Sequence, residues 1–204
     1  MSYNDFNLDD LKSKFGLVFT EDRSLFAHVS TMEISPDLAN ILSEFVPLAL
    51  AIDTEKARSE FIVAPILGRL KMSLNRISLF SGIEFNVDKD LGLSGYCDFI
   101  ISRSKEQYSL DAPVLMMVEA KNDNIKSGLA PCGAQMIAAQ RFNESRKSSL
   151  ETVYGCVTTG SIWKFLELNG KDFYIDTLEY HIQTPGKIMG ILSAIVCGTE
   201  ECRP

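Results

Sequence analysis

The segment Pro113–Lys121, PVLMMVEAK, most narrows what this chain can become. Val114, Leu115, Met116, Met117 and Val118 form an unbroken apolar run opened by a proline. Such a run reads as a strand buried on both faces. It ends in Glu119 and Lys121, which strand alternation sets on one face with Leu115 and Met117. A carboxylate and an ammonium in that setting are costly unless each has a partner or a metal. The preceding strand, YCDFIIS, poses the same problem. Its alternation puts Tyr96, Asp98 and Ile100 on one face and Cys97, Phe99 and Ile101 on the other, so Asp98 is an acid in an otherwise apolar strand.

Asp98, Glu119 and Lys121 together suggest metal-assisted chemistry on a phosphodiester. Hard divalent ions such as Mg²⁺ favour carboxylate oxygens and keep several waters. Asp98 and Glu119 would hold the ion, with the carbonyl of Ala120 as a further ligand. Lys121 would orient or activate a water and steady developing negative charge.

Around this core the chain reads as alternating helices and strands. Ser35-Pro36-Asp37 is a helix start, with a Ser cap, Pro in the first turn and an acid near the positive helix end. Leu38, Ile41, Leu42 and Phe45 follow at helical spacing, and Pro47 is expected to end or kink that helix. Thr54-Glu55 opens a second helix, EKARSEFIVAPILGRLKMSL, in which Pro65 should kink the helix or shift its register. Strands are expected at GIEFNVDK, LSGYCDFIIS and PVLMMVEAK, then a helix from about Pro131 (PCGAQMIAAQRFNES). Strands TVYGCVTT, SIWKFLEL and DFYIDTL follow, the last two joined at Asn169-Gly170, a strong hairpin signal. Thr184-Pro185 opens a final helix, GKIMGILSAIVC. The expectation is a mixed sheet flanked by helices. Residues 1–32 read as an N-terminal arm with a short helix and a strand, and residues 33–204 as the domain.

This order, with Asp98 and then Glu119-Ala120-Lys121, resembles the PD-(D/E)XK nuclease superfamily, which includes restriction endonucleases and many repair nucleases. The resemblance spans roughly Thr54 to Leu168. It implies an α/β, restriction endonuclease-like three-layer fold, dependence on Mg²⁺ or Mn²⁺, and hydrolysis of DNA. It also implies roles beyond the core. Glu60, in the helix before the strands, matches the acid that often supports the metal through water. Gln135, in the helix after Glu119, matches a glutamine that contacts the substrate or the lysine. Cys97 stands where the family name has Pro, a position that varies widely. Glu55 is an alternative to Glu60. The two lie about 140° apart on a regular helix, so both cannot face the site; Glu60 is preferred because it lies closer to the apolar part of the helix. Many relatives cut both strands as homodimers, and the last apolar helix could supply such an interface.

The rest of the sequence bounds the function. Net charge is −7, which counts against a protein that coats nucleic acid non-specifically. It leaves open a catalytically silent nuclease-fold module acting in protein interaction or regulation. Lys126, Arg141, Arg146 and Lys147 could form a phosphate-facing rim or a solvated helix face. The five cysteines lack a CxxC spacing, so a zinc knuckle is not expected and a reduced, cytoplasmic protein is. Cys132, His28 and His181 have no catalytic spacing. Thr158-Thr159-Gly160 reads as a hairpin turn and Trp163 as core. No apolar run approaches the roughly 18–20 residues of a membrane helix, and the first twenty residues have no apolar stretch of a secretory leader.

Overall fold

The structure is a computed structural model that describes residues 1–198. It is an α/β protein built on one mixed eight-stranded sheet with helices on both faces. After a 3-10 turn at Tyr3–Asp5 come helix α1 (Leu8–Phe15) and strand β1 (Val18–Thr20). Helices α2 (Pro36–Ile52) and α3 (Glu55–Arg58) follow, then a π-helical turn (Ser59–Val63) and α4 (Ala64–Ser73). Strands β2 (Ser78–Glu84), β3 (Tyr96–Ser102) and β4 (Val114–Ala120) lead to helix α5 (Ile125–Ser145). Strands β5 (Thr152–Thr158), β6 (Ile162–Asn169), β7 (Asp172–Ile175) and β8 (Tyr180–His181) precede α6 (Pro185–Cys197). The strand order is β1-β7-β6-β5-β4-β3-β2, with β8 on β6. Pairs β4–β5 and β1–β7 are parallel and the others antiparallel. No helix among the described residues is long and apolar enough to cross a membrane.

Two apolar clusters fill the spaces above and below the sheet. On one side Leu38 and Leu42 of α2, Ile62 of the π turn, Leu67 of α4 and Ile188 of α6 meet Phe99, Ile101, Val118 and Phe165. On the other, Leu11 of α1 and Ala134 and Ile137 of α5 meet Ile100, Met117, Val157 and Phe173. The segment expected as an arm contributes to this second layer: Tyr3, Phe6, Leu11 and Leu17 are buried in it, and β1 pairs with β7. Helix α6 buries Ile188, Leu192 and Ile195 inside the chain's own core, so those residues are not free to form a dimer face.

Helix boundaries follow the capping chemistry more closely than the prolines. Ser35 Oγ accepts from the Leu38 N–H at 3.3 Å and Thr54 Oγ1 from the Ala57 N–H at 3.2 Å. Pro47 does not end α2. The carbonyl of Ser43 loses its donor there, but Ser43 and Pro47 are exposed, so water can serve it. Helix α5 starts six residues before Pro131, capped by Asn124, whose side chain accepts from the Lys126 N–H. The carbonyl freed by Pro131 belongs to exposed Ser127. At Pro65 the expected register shift takes the form of the π turn, in which the Ala64 N–H bonds to the Ser59 carbonyl. Strand β2 lies earlier than the stretch GIEFNVDK. Beyond Glu84, Asn86 and Asp88 accept from the N–H groups of Gly95 and Leu91 and turn the chain instead.

Candidate functional site

Strand register brings the two acids together. In the antiparallel pair β3–β4, Ile100 faces Met117 and Phe99 faces Val118. One step further sets Asp98 opposite Glu119, both on the face that packs α5. A bulge between Ile101 and Ser102 shifts the pairing at the far end of β4, where Leu115 joins the opposite cluster from Met117. The shared face expected for Leu115, Met117 and Glu119 therefore begins only at Met117.

Four side chains and one amide form a connected group. The Ala120 N–H donates to Asp98 Oδ2 at 2.7 Å. Lys121 Nζ donates to Glu119 Oε1 at 2.7 Å, and Gln135 Nε2 donates to Glu119 Oε2 at 2.7 Å. Glu119 is only 4% exposed and Gln135 1%. The Gln135 amide oxygen is buried with no hydrogen-bond partner, an acceptor with unused capacity. Helix α5 can approach this closely because residue 128 is glycine. A Cβ there would stand 2.5 Å from Val157 Cγ1 and 3.2 Å from Lys121 Cγ, so Gly128 leaves room for the lysine stem.

The electrostatics are those of two crowded carboxylates and one cation. Burial raises the Asp98 carboxyl above its usual value, against the Ala120 N–H and the Lys121 charge. Burial also raises Glu119, and the negative charge of Asp98 adds to it; Lys121 and Gln135 oppose both. Partial burial pulls Lys121 down, but Glu119, Glu55 and Asp98 together hold it above the ordinary lysine value. Lys121 is thus a cation locked among acids.

The helical acids are arranged differently from the expectation. Glu60 lies on the π turn, is exposed, and pairs with Lys56 at 3.7 Å. Glu55, at the start of α3, is the helical acid whose charge acts on Lys121. In the π turn Ile62 and Val63 are both fully buried, so the apolar pattern around Glu60 marks the residues after it rather than Glu60 itself. Arg58 ties α3 down. Its guanidinium donates to Asp53 Oδ1, the Thr159 carbonyl and Ser161 Oγ at 2.9, 3.1 and 3.3 Å. The Lys121 N–H donates to the Thr158 carbonyl at 2.8 Å. The turn Thr158–Ser161 is therefore anchored both to Lys121 and to the helix of Glu55. Sequence reading missed Arg58; its signal is a cation four residues before buried Ile62.

The basic residues considered as a rim are mostly engaged elsewhere. Arg141 pairs with Asp88 at 3.3 Å, and Arg146 lies over the Phe142 ring and 3.8 Å from Asp111. Arg146 and Lys147 follow the C-terminal end of α5, whereas Gly128 and Gln135 face the site from its first half. Cys97, Cys132 and Cys156 are free and buried. Burial, first of all, raises each thiol well above its ordinary value, so none has thiolate character.

The donor set was weighed for a metal. Among the described residues no group of three or more His, Cys, Asp and Glu side chains gathers into a cage. Asp98 and Glu119 supply two carboxylates opposite one another on β3 and β4, and Mg²⁺ commonly takes one or two carboxylates and fills the remainder with water and substrate oxygens. Comparisons of the chain with protein-family models, with curated proteins and with solved structures gave no match.

Proposed function

We propose that this protein is a divalent-metal-dependent nuclease of the PD-(D/E)XK type, with a restriction endonuclease-like fold, that hydrolyses phosphodiester bonds in DNA. One observation carries the reading: Glu119, 4% exposed, is held between Lys121 and Gln135 beside Asp98. Two carboxylates crowded in a buried place cost stability, and a metal centre gives that cost a purpose. Asp98, Glu119 and the Ala120 carbonyl would hold Mg²⁺ or Mn²⁺, which supplies Lewis-acid polarisation of a phosphodiester when bound. Lys121 orients the attacking water and stabilises charge developing on the phosphoryl oxygens. Gln135 fixes the Glu119 carboxylate and offers its amide oxygen to a water or substrate donor. Glu55 adds negative charge that favours the protonated form of Lys121, whereas Glu60, first expected to support the metal through water, pairs with Lys56.

A second reading, a catalytically silent module that binds a partner protein, draws on the net charge of −7. One experiment separates the two. Labelled DNA and RNA substrates are incubated with Mg²⁺ or Mn²⁺ and the wild type or Glu119→Ala. Metal-dependent cleavage lost in the variant is the expected result. No cleavage by the wild type, with no metal-induced thermal stabilisation, selects the silent module.

A further inference from the structure

Helix α2 is apolar on more sides than the core uses. Its buried residues are Leu38, Leu42 and Ala49. A second stripe, Ile41, Phe45, Leu48 and Ile52, recurs at spacings of 4, 3 and 4, the pattern of a helix–helix seam. Ile41, Leu48 and Ile52 are exposed, Leu48 by 44%, and Phe45 is half-buried. Among the described residues no other helix or strand leaves more than one large apolar side chain exposed. Scattered single residues of this kind are ordinary, whereas a contiguous stripe marks a contact surface. We propose that α2 and α4 form the contact face of a homodimer, in which α2 of each copy lies against α4 of a second copy of this chain.

The neighbouring helix continues the face. Phe45 meets Phe61 of the π turn with ring centroids 5.3 Å apart, and Arg69 of α4 pairs with Asp37 of α2 at 3.1 Å. The two helices therefore lie side by side and antiparallel. On α4, Met72 is 79% exposed. One turn before it, nothing lies within 4 Å of where a Cβ on Gly68 would be, which leaves room there for a side chain of another molecule. Helix α2 is about 25 Å long and two packed helices are about 20 Å wide. Two such faces in contact cover roughly 1,000 Å² in all, the lower bound for a specific interface.

The charges select the occupant. The charged residues of α2 are Asp37 and Glu44, and those of α4 are Arg69 and Lys71. One half of the face is thus acidic and the other basic. A two-fold axis along the helix pair sets each acidic half against the basic half of the second copy, the self-matching arrangement that a closed dimer needs. Asp37 and Arg69 then alternate with the same pair of the second copy. A lipid surface fits less well, because helices that lie on membranes are rich in Lys and Arg on their polar face and α2 has neither. Helix α6 takes no part, since its apolar residues fill the chain's own core. The face contains none of Asp98, Glu119, Lys121 and Gln135, so the dimer is independent of the nuclease reading.

Sedimentation equilibrium of the full chain, from micromolar to millimolar concentration, tests this on wild type, Leu48→Glu, Val18→Glu, Asp37→Arg, and Asp37→Arg combined with Arg69→Asp. Wild type is expected to dimerise with a Kd in the micromolar range. Leu48→Glu should weaken the dimer about tenfold or more, because each copy would bury a new charge. Its Tm at dilute concentration should stay close to that of wild type, since Leu48 is exposed within one chain. Val18→Glu adds the same charge at an exposed site on β1, at the sheet edge away from β2, and should leave Kd unchanged. Asp37→Arg should weaken the dimer by setting cation against cation, and the exchanged pair should recover most of that loss. A wild type that stays monomeric, an unchanged Kd in Leu48→Glu, or an exchanged pair no tighter than Asp37→Arg alone overturns the dimer. Binding of a monomeric wild type to phosphatidylcholine vesicles, lost in Leu48→Glu, overturns it too and assigns the face to a lipid surface.

Discussion

Among the described residues two carboxylates are buried at strand ends, and they live in opposite surroundings. Asp176, just past β7, is 1% exposed. One of its oxygens accepts the Leu178 N–H at 2.9 Å and the other the Tyr180 hydroxyl at 3.0 Å. Its own N–H donates to the Phe165 carbonyl. Both oxygens are served by neutral donors, and the group closes the turn from β7 into β8. Glu119, 4% exposed, instead sits beside a second carboxylate, Asp98, and takes its donors from a lysine and from an amide whose own oxygen is unpaired. Burial of an acid therefore does not by itself mark a site. The mark is a set of partners that leaves repulsion and hydrogen-bonding capacity unspent.

The largest expected effects come from exchanging the fates of these two acids. Glu119→Ala should lower metal-dependent cleavage about a thousandfold while the fold persists. Asp176→Ala should do the reverse. Loss of two buried hydrogen bonds to a carboxylate costs about 2–3 kcal/mol, or roughly 5–10 °C in Tm, with kcat retained. Equal losses of activity in both variants would erase the distinction.

Gln135→Ala is next, since it removes one of the two donors that fix Glu119. A drop of about tenfold in kcat is expected, with a smaller change in KM. Wild-type kcat in that variant would show that Lys121 alone orients the carboxylate.

Asp98→Asn tests whether the crowding costs stability. Burial raises the folded pKa of Asp98 above its unfolded value. Its contribution to stability is thus fully present below the unfolded value near 4 and is lost as pH rises through the folded one. Asparagine keeps an acceptor for the Ala120 N–H and removes that loss. Melting curves should show the variant more stable than wild type at pH 7, with the gain shrinking towards pH 4. A variant less stable than wild type at pH 7 would mean that the carboxylates are not in conflict.

Glu60→Ala should have the smallest effect. The pair with Lys56 is exposed on both sides and contributes at most about 0.5 kcal/mol. Activity should stay within about twofold of wild type, whereas Glu55→Gln should reduce it further by loosening the hold on Lys121.

How far the sequence revealed this follows from the same contrast. Asp98, Glu119 and Lys121 stood out because charge interrupts strong apolar strand patterns, and interruptions of a strong pattern survive small errors of register; Gln135, a neutral residue on an Ala-rich helix, was singled out only through the family resemblance. Which helical acid acts on Lys121 was not legible, because choosing between Glu55 and Glu60 assumed a regular helix and the π turn at Ser59–Val63 breaks that regularity. The start of α5 was misplaced at Pro131 because the carbonyl that a proline frees is harmless when it faces water. Asp176 was read only as part of a strand-like stretch: its partners lie within four residues, a local geometry that alternation does not encode. The Arg58 anchor joins residues about a hundred positions apart, and no periodic signal reports such a contact.

The most direct test is Mn²⁺ binding, measured by calorimetry and by electron paramagnetic resonance, on wild type, Asp98→Ala, Glu119→Ala and Asp176→Asn. The account predicts that wild type and Asp176→Asn bind the ion with the same affinity and that Asp98→Ala and Glu119→Ala lose that binding while remaining folded. Binding that survives in both site variants, or no binding by the wild type, would contradict the assignment of Asp98 and Glu119 as a metal centre.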